Sequence, residues 1–392
     1  LNEKIRSIEV GGIEKASDLK DERNRILDEL SELVNTSIGT DYYGNATVQI
    51  EGVDFVKGDK CYEMGLDEDP LTGFYTPFWP QDAPFTLTAE GTKDYYIKDA
   101  KVFNIDKVIS SELNTDIGGL KATVLARGDH HADYTDVADT ESYAKVSNSV
   151  LMNVMAEFDQ LAHQLVTKIN DILAESAGLQ QGDITVMNAD ASTTTLKDVN
   201  YCIADADGYL RDTQGQPIQV FDRKDCDNYT KATLASGEEV WIRVEEAKDA
   251  PETLYSLKTL TINTWLRQQP SELGLRLEDG SEDMATANKL MDAFNEESYR
   301  LNPTLIKKNS FANYYTDLVS QISNSGYVFS SIHENQVNTV ESIQSAREQI
   351  MGVSSDEELS NMIRYQNAYN ASSRYINVIS QMLEHLVSSL GA

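Results

Sequence analysis

The sequence predicts an α+β protein, an elongated multi-helix rod, coiled-coil-like and built from both ends of the chain, with β-rich segments and an inserted β domain. The first observation is a run from Val353 to Leu390 without Pro or Gly. In it Met362, Tyr369, Ile376, Leu383 and Leu390 recur every seventh residue, and Leu359, Tyr365, Ile379, Leu386 and Val387 fill much of the rows between. The second is the same heptad spacing in two more long stretches, 142–177 and 310–350. The third is a change to period two, with turn residues, in 41–141 and 179–283.

These changes of texture divide the chain into N-terminal rod helices (1–40), a β-rich segment packed on the rod (41–141), a rod helix (142–178), an inserted outer β domain (179–283) and C-terminal rod helices (284–392). At the start, Leu1, Ile5 and Ile8 share one helical face, and Gly11-Gly12 ends that helix. The helix reads as already under way at Leu1, which predicts a further N-terminal segment. Ser17 is the expected cap of a second helix with its stripe through Leu19, Ile26, Leu30 and Leu33. Thr47–Ile50, Asp54–Val56, Tyr95–Ile97 and Leu120–Leu125 read as strands, the last following Gly118-Gly119. Phe74 to Phe85 holds three prolines and Trp79, so it reads as an irregular loop with an aromatic anchor.

In 142–177 the heptad residues are Leu151, Phe158, Leu165 and Ile172, and Gly178 is the expected stop. In the inserted domain Asp183–Val186, Gln219–Phe221, Val240–Val244 and Leu260–Ile262 read as strands. Asp205–Gly208 and Asp212–Gly215 read as turns, and the domain is expected to fold alone. A short helix at Met284–Phe294 leads to a long one beginning after Ser310, with Tyr315, Ile322, Phe329, Ile343 and Ile350 in register and Gln336 interrupting the row. The final helix starts with a capping box, Ser354 and Glu357, with acids in its first turn, and Gly391 is the expected C-terminal cap.

Charge excludes several functions. With 33 Lys and Arg against 64 Asp and Glu, the formal net charge is -31. Nucleic acids and anionic membrane surfaces are bound through basic patches, so neither is an expected partner. No apolar run is long enough to span a membrane. Cys61, Cys202 and Cys226 are too few for a disulfide framework.

Candidate chemistry is sparse. Asp129-His130-His131-Ala132-Asp133, with Asp136 and Asp139, is the densest set of possible metal ligands, yet adjacent histidines point apart, and a solvated acidic loop is the simpler reading. His163 reads as a packed or rim histidine on a helix. Asp205–Gly208 lacks the acids of a calcium loop. Cys202 and Cys226 could pair, but two buried thiols are the expectation. No GxSxG, P-loop or dinucleotide fingerprint occurs. Catalytic, cofactor-binding and metal residues are therefore expected to be none, no enzyme is predicted, and the predicted functional residues are the stripe itself: Leu359, Met362, Tyr365, Tyr369, Ile376, Ile379, Leu383 and Leu386 as an assembly interface, capped by Ser354 and Glu357.

Gly352–Leu359, Arg364-Tyr365-Gln366-Asn367-Ala368-Tyr369-Asn370-Ala371 and Met382-Leu383 together resemble the C-terminal signature of bacterial flagellar axial proteins, and among these most resemble the flagellar hook-associated protein 1 family of the hook–filament junction. Asp18-Leu19-Lys20-Asp21-Glu22-Arg23 with Leu27–Ser31, Gly118–Arg127 and Leu161–Asn170 are similar to that family in order and spacing, with departures at Met351 and Ser355. The resemblance implies a secreted structural subunit, extracellular in the flagellum, that passes through the flagellar export apparatus. It implies as partners the hook protein, hook-associated protein 3, further copies of itself in a tubular homo-oligomer, and a flagellar export chaperone holding the C-terminal helix. It also implies that an N-terminal helical segment of the family is absent here. The stripe is then expected to fold back on 310–350 and 142–177. The competing readings are an extracellular adhesin or surface-layer protein whose β domain binds glycan through Tyr201, Tyr209, Phe221 and Tyr229, and a metal-dependent hydrolase using Asp129 to Asp139.

Overall fold

The computed structural model describes the chain except residues 13, 71, 89–90, 106–114, 116, 189, 206–207, 274, 278, 353 and 391–392. Its helices and antiparallel sheets make an α+β fold. The chain divides into two compact units, Leu1–Ser320 and Gln321–Ala392.

The first unit begins with α1 (Asn2–Glu9) and α2 (Ser17–Leu33). Ser17, expected as the cap, is instead the first helical residue; Ala16 holds the cap position and contributes no side-chain bond. An antiparallel sheet follows, ordered as β1 (Thr36–Thr40), β2 (Ala46–Ile50), β3 (Val53–Lys57) and β4 (Lys60–Cys61). Strict alternation in β2 buries Ala46, Val48 and Ile50. Asn2 ties α1 to that strand, its Oδ1 accepting the Ala46 N–H at 3.1 Å and its Nδ2 donating to the Ala46 carbonyl at 2.9 Å.

Two hairpins come next, β5 (Gly65–Glu68) with β6 (Tyr75–Phe78), and β7 (Phe85–Leu87) with β8 (Lys93–Tyr95). The stretch read as an irregular loop thus contains β6, because Pro77 lies where its missing N–H costs nothing while its carbonyl accepts from Val102 at 2.9 Å. Trp79 is the anchor expected of it, buried with Val34, Ile50, Val102 and Phe103. Leu120–Leu125 is not a strand. It lies within α3 (Gly119–Arg127), where Lys121 and Leu125, four apart, are buried on one face, and Lys121 Nζ meets Glu51 Oε1 at 3.1 Å. A short β-branched run carries no decisive period, so tertiary burial settled its state.

The helix expected over 142–177 is broken into α4 (Thr140–Val146) and α5 (Val150–Ser176). Asp139 caps the first and Ser149 the second, the Ser149 Oγ accepting from the Met152 N–H at 3.3 Å and donating to the Ala126 carbonyl at 3.0 Å. Of the heptad row, Ile172 is buried and Leu165 packs partly against the cluster of Tyr299, Leu301, Phe311, Tyr314 and Leu318, but Leu151 and Phe158 are exposed. The buried line instead runs through Met152, Ala156, Val166, Asn170 and Leu173.

The outer β segment contains β9 (Gln180–Met187), β10 (Thr193–Ile203), β11 (Phe221–Arg223), β12 (Tyr229–Thr233), β13 (Glu239–Arg243) and β14 (Leu260–Ile262). One sheet has the order β12-β13-β10-β9, and β11 pairs with β14. The strand read at Gln219–Phe221 begins only at Phe221; Val220 and Phe221 give their N–H groups to the Asn170 Oδ1 of α5 at 3.2 and 3.3 Å. Asn170 Nδ2 donates back to the Phe221 carbonyl at 3.0 Å, and Asn170 is 0% exposed. Leu173 and Ala177 also share a cluster with Leu210 and Val220. Because the outer segment shares its core with α5, we expect an autonomous fragment to need α5 with it. Asn170→Ala would leave these buried backbone groups without partners, at about 3 kcal/mol. Urea unfolding should show that loss, and a change within about 0.5 kcal/mol would mean α5 does not hold the segment this way.

The chain then forms α6 (Thr264–Gln268), α7 (Met284–Asn295), α8 (Phe311–Met351) and α9 (Ser355–Leu390). The start of α8 belongs to the first unit, with Tyr314 buried and its hydroxyl donating to the Glu157 carbonyl at 2.7 Å.

Candidate assembly interface

The second unit consists of the rest of α8 and all of α9. The sequence makes α9 helical in a legible way. Ser354 Oγ accepts the Glu357 N–H at 3.4 Å, as the capping box requires of its serine, and Asp356, Glu357 and Glu358 sit in the first turn against the positive helix end. At 36 residues the helix is about 54 Å long. Gly391, the expected C-terminal cap, and the side chain of Leu390 lie outside the described residues.

The predicted stripe lies along this helix and is bare. Leu359, Met362, Tyr365, Tyr369, Ile376, Ile379, Leu383 and Leu386 are between 39% (Ile379) and 75% (Tyr369) exposed. Tyr375, Met382 and Val387 are exposed too and widen the apolar face, while Ile363 and Val378 are exposed on the other side of the helix. On α8, Ile322, Phe329, Ile343 and Ile350 are likewise exposed. Within the second unit, the stripe is therefore not covered by α8 as expected of a fold-back on 310–350. Among the described residues, α8 and α9 do not run against each other. Most helical stability in proteins comes from packing an amphipathic face, and an apolar face as large as this one marks an interaction surface.

The other sequence candidates are absorbed by local structure. His130 Nδ1 lies 2.7 Å from Asp129 Oδ1 and its Nε2 lies 3.2 Å from Asp136 Oδ2. Those two carboxylates push His130 up to about 10, so it is an imidazolium held between acids. His131 turns away and packs on Phe74, with ring centroids 4.9 Å apart. Asp133 caps a 3-10 turn, Tyr134–Val137, and Asp139 caps α4. Among the described residues no group of three or more His, Cys, Asp or Glu side chains is arranged to hold a metal ion. Residues 206 and 207 of the calcium-loop fragment lie outside the described residues.

The aromatic residues proposed for glycan binding do not assemble into an open groove. Tyr229 is buried with Cys202 and Trp241, whereas Tyr209 belongs to the cluster on α5 and donates its hydroxyl to Asp283 Oδ2 at 2.5 Å. Tyr201 and Phe221 are half-buried. All three cysteines are free thiols. Only Cys202 is buried, its Sγ accepting from Arg211 Nη1 at 2.8 Å; Cys226 is half-buried, which corrects the expectation of two buried thiols. The residue that sequence reasoning missed is Glu246. It binds His163 across 83 positions, a separation over which no local pattern could pair them.

Comparison with known proteins agrees with the placement of these elements. The family described as flagellar hook-associated protein FlgK helical domain matches residues 1–188. The family described as flagellar basal body rod FlgEFG protein C-terminal matches residues 344–389, the end of α8 and nearly all of α9. Flagellar hook-associated protein 1 of Bacillus subtilis (strain 168) is 28% identical over 85 residues, covering 22% of this chain and 17% of that protein. The match thus spans about a sixth of the relative's length. Among the described residues no helix is long and apolar enough to cross a membrane.

Proposed function

We propose that this chain, which is similar to the flagellar hook-associated protein FlgK helical domain over residues 1–188 and to the FlgEFG C-terminal family over residues 344–389, is a structural component of the flagellum that works at the junction between hook and filament and is needed for filament assembly and motility. The observation that carries this reading is the bare apolar stripe of α9, which coincides with the segment shared with basal body rod proteins. Axial proteins that stack into one tube need a common docking element, and an exposed amphipathic helix meets that need by burying its stripe in neighbours.

On this reading α9 docks against further copies of the chain, the hook protein below and hook-associated protein 3 above. An export chaperone covers the same stripe before secretion, since an apolar helix face free in the cytoplasm invites aggregation. The mature protein is extracellular. Its role is mechanical, and in the densest cluster of candidate ligands Asp133 and Asp139 serve as caps while Asp129 and Asp136 pair with His130.

Deleting the gene for this chain should leave cells with hooks but no filaments, with flagellin shed into the medium. Electron microscopy and a motility assay check this. Cells that keep full-length filaments after the deletion would contradict it.

A further inference from the structure

The outer β segment meets α5 at a small, half-buried polar cluster that belongs to no part of the assembly stripe. His163 of α5 and Tyr134 of the 3-10 turn stack with ring centroids 3.7 Å apart and planes 11° apart. Glu246, on the arm that follows β13, joins both: its Oε2 lies 2.9 Å from His163 Nε2, and its Oε1 accepts the Tyr134 hydroxyl at 2.8 Å. The same Oε1 accepts the Tyr255 N–H at 2.7 Å. Beside it, Asp159 of α5, which is buried, accepts the Tyr134 N–H at 2.9 Å and the Leu257 N–H at 2.5 Å. Three chain segments distant in sequence are therefore pinned through two carboxylates and one imidazole.

We propose that Glu246 is the proton-sensitive pin of a latch that holds the arm 244–259 against α5 and releases it when the carboxylate takes a proton. An ionised carboxylate only accepts, so it suits three donors at once; a protonated one places an O–H against a donor and loses a bond. The charged and titratable groups facing the pin are His163 and Asp159 from α5, Tyr134 and Asp133 from the 3-10 turn, and Tyr255 from the arm.

Burial pushes Glu246 up, but the His163 bond and charge, the Tyr255 N–H and the Tyr134 hydroxyl together hold it below the usual carboxylate range. A folded-state value below the unfolded one contributes stability above the ordinary glutamate range, and that stability is lost as pH falls through the folded value. Asp159 runs the opposite way, since burial raises it and outweighs its two N–H bonds, so its protonation on acidification favours the closed form. Acid release is thus a property of Glu246.

Hydrogen exchange of the Tyr255 and Leu257 amides in the full chain, corrected for intrinsic rates, tests the latch, with β2 amides as the control for folding. In Glu246→Gln the amide oxygen still accepts from Tyr134 and Tyr255, while its NH2 faces His163 Nε2. The variant therefore carries the uncharged form that a protonated Glu246 has. Protection of the arm should be about ten-fold lower in Glu246→Gln than in wild type at neutral pH, and should not fall further through the glutamate range, below which wild type loses it. If the arm of Glu246→Gln is as protected as in wild type at neutral pH, or if wild type keeps its arm protection as pH falls well below the ordinary glutamate range while β2 stays protected, the proposal is overturned. Should β2 in Glu246→Gln also lose protection, the comparison of wild type with His163→Gln decides. Wild type should lose arm protection only below the ordinary glutamate range, and His163→Gln at a higher pH. Identical midpoints would overturn the proposal.

Discussion

Gly118→Ala is expected to destabilise the first unit by about 3 kcal/mol or more. Gly118 has φ 104°, in the left-handed half of backbone space that a side chain avoids. A Cβ there would lie 2.8 Å from the Val34 Cα and 2.9 Å from the Leu33 carbonyl oxygen. Both are backbone atoms at the end of α2, which cannot swing aside as a flexible side chain would. Val34 also anchors the cluster of Ile50, Trp79, Val102 and Phe103, so a shift there is felt across the core. Gly58→Ala is the matched control: φ is 65° and nothing lies within 4 Å of the added carbon, so only the conformational cost of about 1–2 kcal/mol remains. Urea unfolding followed by tryptophan fluorescence measures both. Equal losses in the two variants would show that the α2–α3 contact is not as close as described.

That glycine also shows where the sequence was readable and where it was not. Gly118-Gly119 announces a special backbone position, but not whether a strand or a helix follows. The answer lay in the burial of Lys121 and Leu125 against elements distant in sequence. β10 escaped for a related reason. Its run Thr193-Thr194-Thr195 has no apolar alternation, and its register shifts between Leu196 and Val199, where Asp198 has φ 54°. By contrast α9 was fully legible: its cap, its acidic first turn and its heptad row are all local. The stripe was readable but its exposure was not, because periodicity states which side chains share a face and not what covers it. Glu246 was unreadable for the converse reason, being one carboxylate among 64 acids until the fold sets it beside His163.

Replacing Ile376 and Leu383 with Asp is expected to leave the isolated chain's first unit unchanged while removing assembly. Both side chains are more than half exposed in the free chain, so their loss costs the monomer little. In an assembly each would be buried, at about 1.5–3 kcal/mol apiece, and a carboxylate in the same place would have to be desolvated without a partner. Together these effects exceed what a weakly held subunit contact can lose. The thermal transition of residues in the first unit should match wild type.

The most direct measurement is to count filaments by electron microscopy on cells whose only copy of this gene carries Ile376→Asp and Leu383→Asp, with the secreted amount of the protein matched to wild type. The stripe as docking element predicts hooks without filaments and the protein free in the medium. Filaments of normal number and length on those cells would contradict it.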